Sequence, residues 1–153
     1  EIKQEGLFVH AGAGAGMSKT SEKTAAWGLR GLETFYSMPG SVGGSVWINA
    51  RCYGVSISDN LYSAAILDEH SNIITSRVNP KEYGYKKTPF QQTKNIILKA
   101  CFSLSPENPD ALQKIMEEKY KDRKLMIKAV VTSFESIHKH DIFAKGSIKT
   151  LNH

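Results

Sequence analysis

The stretch MPGSVGGSVWINARCYG, residues 38 to 54, constrains what this chain can fold into more than any other. It places Pro39, Gly40, Gly43 and Gly44 within six residues, so no regular helix or strand runs through its start. The spacing predicts an irregular turn followed by one helical turn through SVWINA, with several consecutive backbone amides pointing to one side. Such a turn holds an anion or the edge of an aromatic ring system without any charged side chain, or it serves only the fold. Spacing alone leaves both readings open.

A second glycine segment, HAGAGAGMSKT at residues 10 to 20, invites a nucleotide-loop reading. A Walker loop needs G-x-x-x-x-G-K-[ST], and here Ser18 precedes Lys19. The dinucleotide fingerprint G-x-G-x-x-G fits Gly12 and Gly14 and then meets Met17 where its third glycine belongs. What remains is a strand, LFVHAG, running into small residues that let the backbone turn and pack closely against a neighbouring loop.

With 153 residues, 41% of them hydrophobic and 23% charged, the chain suffices for one domain with a core or for a piece of something larger. No run approaches the roughly 18 apolar residues of a membrane helix. The opening EIKQEG lacks the basic start and apolar stretch of a signal peptide, and without an initiator methionine it reads as a truncated amino end. Cys52 and Cys101 are too few for a disulfide framework and lack metal-ligand spacing, which points to a reducing cytoplasm and to no metal. The formal charge of +5 suits an anionic partner. Aromatic residues do not interleave with the lysines as in ribonucleoprotein motifs, so the expected partner is a phosphorylated small molecule and not nucleic acid.

Elsewhere, periodicity and turn chemistry set the elements. SKTSEKTAAWGLRGLE reads as a helix with Ser18 at its N-cap, ended by Gly28 and Gly31. LYSAAILDEHSNIITSRV reads as a β-hairpin turning through residues 68–72, and NPKEYGY as a short helical turn opened by Pro80. In KNIILKACFSL the run Ile96, Ile97, Leu98 predicts a strand buried on both faces at first and on one later. PDALQKIMEEKYKDRKLM is a helix with Leu112, Ile115, Met116, Lys119 and Tyr120 on its apolar side. After Lys128 the sequence shows no element that would seal a domain.

GLETFYSMPGSVGGSVWINARCYG closely resembles the flavin-contacting segment of the UDP-N-acetylenolpyruvoylglucosamine reductases, also called UDP-N-acetylmuramate dehydrogenases. The pattern there is a GLE, then I-P-G-[ST]-[VI]-G-G-[AS], then N-A-G-x-Y-G. LFVHAGAGAG resembles the strand and turn before that family's helix, SISDNL the segment after the tail, EYGYKKTPFQ its Y-R-x-S-x-F loop and NIILKACFSL the strand that follows. The resemblance spans roughly residues 7 to 128. It implies an α+β fold, part of the two-lobed FAD-binding domain of the PCMH-type flavoproteins. Residues 1–105 would be the second half of that domain, and residues 106–153 a helix and the incomplete start of the substrate-binding domain. The glycine-rich loop for the FAD pyrophosphate and a second acid near the family's carboxy end would lie outside this sequence.

The implied activity is reduction of UDP-N-acetylglucosamine enolpyruvate to UDP-N-acetylmuramate in peptidoglycan precursor synthesis, with bound FAD and with NADPH as co-substrate. That chemistry asks for a planar electron carrier, a cation over the substrate carboxylate and a proton donor on the other side. Carried over by position, the resemblance implies that Pro39, Gly40, Ser41, Gly43 and Gly44 line the flavin, with Asn49 and Tyr53 supporting that loop. Tyr85 falls at the active-loop tyrosine. Lys86 falls at the catalytic arginine, where lysine keeps the charge and loses the planar two-pronged hydrogen bonding. Ser136, in TSFESIH, aligns with the proton-donating serine of a loop reading P-S-x-G-S-x-F, although Thr132, Glu135 and His138 depart from that pattern. Arg51 departs from the usual glycine of the tail. Three readings stay open: a working reductase completed by further sequence, an incomplete or inactive remnant of it, and a small basic anion-binding module without catalysis.

Overall fold

In FVHAG, residues 8–12, apolar and polar side chains alternate, and the segment forms a strand with Val9 and Ala11 buried on one face and His10 on the other. The computed structural model of the protein describes the backbone of residues 1–148 and the side chains of residues 1–132. The elements run β1 (Ile2–Glu5), β2 (Phe8–Gly12), α1 (Met17–Ala26), β3 (Leu29–Arg30), α2 (Val42–Trp47), β4 (Arg51–Cys52), β5 (Val55–Ser56), β6 (Leu61–Leu67), β7 (Ile73–Arg77), β8 (Ile96–Ser103), β9 (Ser105–Pro106) and α3 (Pro109–Ile148). Single helical turns at Glu33–Phe35, Ile57–Asp59, Pro80–Glu82 and Pro89–Gln92 connect them. This is an α+β fold. It divides into a first unit, Glu1–Glu117, and a second that begins at Glu118.

Five strands pair antiparallel in the order β1-β2-β8-β6-β7. The expected hairpin is β6 and β7, with Ser63 facing Arg77 and Leu67 facing Ile73. Burial along β8 runs opposite to the expectation: Ile96 is 58% exposed, whereas Ala100, Cys101 and Phe102 are buried. The cause is the length of its neighbour. β2 pairs with β8 only from Gly12 opposite Lys99 to Phe8 opposite Ser103, so residues 96–98 run past its end and keep only β6 beside them. A register shift falls there as well, since Ala65 faces Lys99 while Ile66 faces Ile97, and Leu98 becomes the extra residue of a bulge. Its carbonyl accepts the Ala13 amide at 2.9 Å, which ties the sheet to the chain leaving β2.

Val9, Ala11, Ala64, Ile66, Ala100 and Phe102 form the inner face of the sheet and share one core with Met17, Leu32, Phe35, Val42 and Val46. Helix α1 starts at Met17 with Gly16 in the cap position, not with Ser18 as the sequence suggested. Gly16 is held in a bridge to Ser41, so the helix opens directly after it, and Ser18 falls in the first turn, where its Oγ accepts the Ser37 amide at 2.8 Å. The buried face of α1 is largely hydroxylic. Thr20, Ser21 and Thr24 donate to the carbonyls of Gly16, Leu32 and Ser21, which satisfies every one of them without water. In the GLE segment Glu33 is buried, and its carboxylate accepts the Gly31 amide at 2.6 Å.

The start of α3 matches its apolar spacing: Leu112 and Met116 are buried with Ala25 and Tyr36. The helix then continues past Lys128 to Ile148, where the sequence had suggested no element. Residues 129–145 contain neither proline nor glycine, so nothing in the chain breaks the helix.

Gly28 ends α1 as expected, at φ +67, and the Glu107 carbonyl lies 2.8 Å from where its Cβ would stand. Gly28→Ala is expected to cost about 2–4 kcal/mol, from left-handed strain plus displacement of that carbonyl. Gly14→Ala, with nothing within 4 Å of the added carbon, should stay within about 0.5 kcal/mol of the parent. Urea midpoints of the two variants compare these directly.

Candidate functional site

Residues 38–54 begin by packing their backbone against the first glycine segment. The amides of Val42 and Gly43 donate to the carbonyls of Ala15 and Ala13, each at 2.8 Å, and the Met17 amide donates to the Gly40 carbonyl at 3.0 Å. This approach demands a glycine: a Cβ on Gly43 would stand 2.8 Å from the Ala13 Cβ. Thus HAGAGAG turns and packs against a neighbouring loop, and that loop is PGSVGG. Helix α2 opens directly behind the contact, with the Ser41 Oγ accepting the Gly44 amide at 3.2 Å as its cap. It therefore takes in Gly43 and Gly44, earlier than the SVWINA spacing suggested, and ends at Trp47.

These bonds remove the anion from what the turn could hold. The amides of Val42, Gly43 and Gly44 all have acceptors within the protein, so they form no row of donors for an anion. A shelf of small groups is what remains. Pro39, Gly40, Ser41, Gly44, Ser45 and Ile48 border an open cavity of about 210 Å³. Ser41 and Gly44 also border a second cavity, of about 380 Å³, with Gly43, Trp47 and Ile96. Gly40 has nothing within 4 Å of its missing Cβ, so the shelf carries neither bulk nor charge at that point.

Asn49 follows α2 at φ +46, in a region that asparagine tolerates better than most residues. It is buried, its Nδ2 donates to the Gly84 carbonyl at 2.8 Å, and its Oδ1 accepts the Ser58 amide at 3.0 Å. The Thr88 hydroxyl donates to the Trp47 carbonyl at 2.8 Å. Two side chains thus fasten residues 84–88 to the end of α2. Within that segment Gly84 and Lys87 exchange amide-to-carbonyl bonds at 3.1 Å each, which makes Tyr85 and Lys86 the central pair of a tight turn. Lys86 stands at φ +53 with its Nζ 5.7 Å from the Tyr85 ring centre. Tyr85 is 73% exposed and borders a polar cavity of about 480 Å³ together with Asn49, Arg51, Ser58, Asp59 and Tyr83. Burial, and secondarily the charge of Glu82, pushes the Tyr83 phenol up to about 12, so at neutral pH it keeps its proton.

The sequence marked Arg51 only as a departure from a pattern, and Tyr83 not at all. Tyr53, expected to support the flavin loop, stands in a turn: Tyr53 and Gly54 have φ of +49 and +87 and link β4 to β5 as a two-residue hairpin. That hairpin sets Arg51 opposite Ser56, and both border the cavity of Tyr85. The structure therefore joins Asn49 and Tyr85 at one cavity and the proline, serine and glycines at the shelf. Ser136 lies in α3, its backbone helical where a loop was expected, and its side chain is outside the described residues. Among the described residues, no three His, Cys, Asp or Glu side chains form a metal cluster, and no helix is long and apolar enough to cross a membrane.

No family profile matches the chain. Individual proteins do. It is 40% identical over 129 residues to the UDP-N-acetylenolpyruvoylglucosamine reductase of Treponema denticola, covering 76% of this chain and 40% of that protein. The reductase of the same name from Treponema pallidum is 34% identical over 158 residues, with 76% of this chain and 45% of that protein covered. This chain is related to those reductases. The crystal structure of UDP-N-acetylenolpyruvylglucosamine reductase from Thermus caldophilus superposes with a TM-score of 0.65 at 25% identity, over 75% of this chain and 42% of that one. The chain spans less than half the length of these reductase relatives.

Asn49→Asp tests the joint between α2 and the Tyr85 turn. The carboxylate still accepts the Ser58 amide but has no proton for the Gly84 carbonyl, so the turn should loosen. Trypsin cleavage after Lys86 and Lys87 is expected to accelerate about tenfold, with cleavage after Lys3 unchanged. An unchanged pattern at Lys86 and Lys87 would show that the Asn49 bond does not hold the turn.

Proposed function

We propose that this chain is a segment of an FAD-dependent UDP-N-acetylenolpyruvoylglucosamine reductase that acts in the cytoplasm, with NADPH as reductant and UDP-N-acetylglucosamine enolpyruvate as substrate. The likeness to the Treponema denticola reductase over 129 residues carries this reading. The form of the PGSVGG shelf supports it. A planar ring fits a shelf with no side chains at Gly40 and Gly44, whereas the phosphates of FAD find no free run of amides at residues 42–44. When bound, FAD would carry the hydride from NADPH to the sugar.

In this reading residues 1–105 are the second half of the flavin domain, and residues 106–153 begin the substrate domain. Pro39, Gly40, Ser41, Gly43 and Gly44 form the surface under the ring. Asn49 fixes the distance between that surface and the turn of Tyr85 and Lys86. Tyr85 offers a phenol to the sugar nucleotide, and Lys86 supplies a compact positive charge that stabilises negative charge developing on the substrate. Ser136 delivers the proton.

Flavin content tells the readings apart. The full-length protein that carries this segment should, as a reductase, take up FAD and emerge yellow at one flavin per chain. Colourless protein that no added FAD can load would favour the remnant, and affinity for heparin that falls steeply with salt would favour an anion-binding module.

In protein loaded with flavin, Lys86→Ala and Ser136→Ala are each expected to slow reoxidation by the UDP-sugar about tenfold or more while sparing reduction by NADPH. Stopped-flow measurement of the two half-reactions checks this, and equal loss in both would remove the residue from its role.

A further inference from the structure

We infer that Arg51 is the residue that grips the carboxylate of the sugar nucleotide, in the cavity between the β4 and β5 hairpin and the Tyr85 turn; this rests on the reductase reading above. The cavity that contains Tyr85 is bordered by Arg51 and not by Lys86. A ligand that reaches Tyr85 therefore meets a guanidinium there. Arg51 forms no ion pair among the described residues, unlike Arg30, which sits beside Glu33 and Glu107. The carboxylate that shares the cavity, Asp59, is turned to a local task, since its Oδ2 accepts the Ser56 amide at 2.8 Å in a capping box.

The backbone that carries Arg51 is set by its hairpin. Arg51 pairs with Ser56 and Cys52 with Val55 around the two positive-φ turn residues, so the guanidinium is presented from a short fixed ribbon. Around it lie hydroxyls: Ser56, Ser58, and the phenols of Tyr83 and Tyr85. Such a donor set suits an oxyanion, and the flat fork of arginine matches the two oxygens of a carboxylate, which a lysine cannot do. The ligand of the reductase reading carries two kinds of oxyanion, its enolpyruvyl carboxylate and its diphosphate. The structure assigns the first to Arg51 because Tyr85, and the Asn49 that ties its turn to the end of α2, border the same cavity.

Calorimetric titration of the flavin-loaded full-length protein that carries this segment, with two probes, tests the assignment. UDP-N-acetylglucosamine enolpyruvate has the carboxylate, and UDP-N-acetylglucosamine lacks it. Arg51→Lys and Arg51→Gln are expected to bind the first about tenfold or more weakly and the second within about twofold of the parent, with flavin content and melting temperature unchanged. Equal weakening for both probes would place Arg51 on the diphosphate and overturn the carboxylate assignment. Unchanged binding of the enolpyruvyl probe would overturn it while leaving the reductase reading in place. If the parent protein binds neither probe, the reductase reading fails and takes this inference with it.

Discussion

The candidate site depends on a backbone contact that leaves no room for a side chain. Gly43 lies against Ala13, and the bonds from Val42 and Gly43 back to Ala15 and Ala13 fasten α2 to the end of β2. Each bond contributes only about 0.5–1.5 kcal/mol net, yet together they leave α2 a single position. The contact also reaches into the sheet, because the Ala13 amide is held by the Leu98 carbonyl at the β8 bulge. Sheet, glycine segment and helix thus share one hydrogen-bonded seam. The shelf of Pro39, Gly40, Ser41 and Gly44 is the outer surface of that seam, and its shape follows from satisfying the amides inward.

A second joint converts this rigid seam into a position for an exposed turn. Tyr85 and Lys86 pack against little, and a turn so exposed would ordinarily wander. Here the buried amide of Asn49 bonds the turn on one side and the Ile57–Asp59 helical turn on the other, while Thr88 reaches the end of α2. Neither bond uses a charge, and among the described residues neither Arg51 nor Lys86 forms an ion pair.

Legibility in the sequence followed the range of the interactions. The β6 and β7 hairpin, the stop at Gly28 and the first turns of α3 depend on local period and turn chemistry, and each was readable. The cap of α1 was not, because Ser18 is displaced from that role by a bridge between Gly16 and Ser41, which are far apart in the chain. Burial along β8 was misread for a similar reason: its apolar start suggests a core, but β2 stops short of it. At the site, PGSVGG was visible as a special turn, whereas the choice between anion cradle and plain shelf needed the partners of three amides. The meeting of Arg51 with Tyr85 is a tertiary event with no periodic signal, marked only by an arginine where a resembling pattern has glycine.

The central place of β8 has a consequence for how the chain is made. Gly12 pairs with Lys99, so β2 leaves the ribosome long before its partner does, by about 4–17 seconds at ordinary rates of elongation. During that interval one edge of β2 has only water or another nascent chain to bond with. The seam between Ala13 and Gly43 lies wholly ahead of β4 in the chain, so it can close while the middle of the sheet is still being translated. A protein assembled in this order has its glycine shelf before it has its sheet.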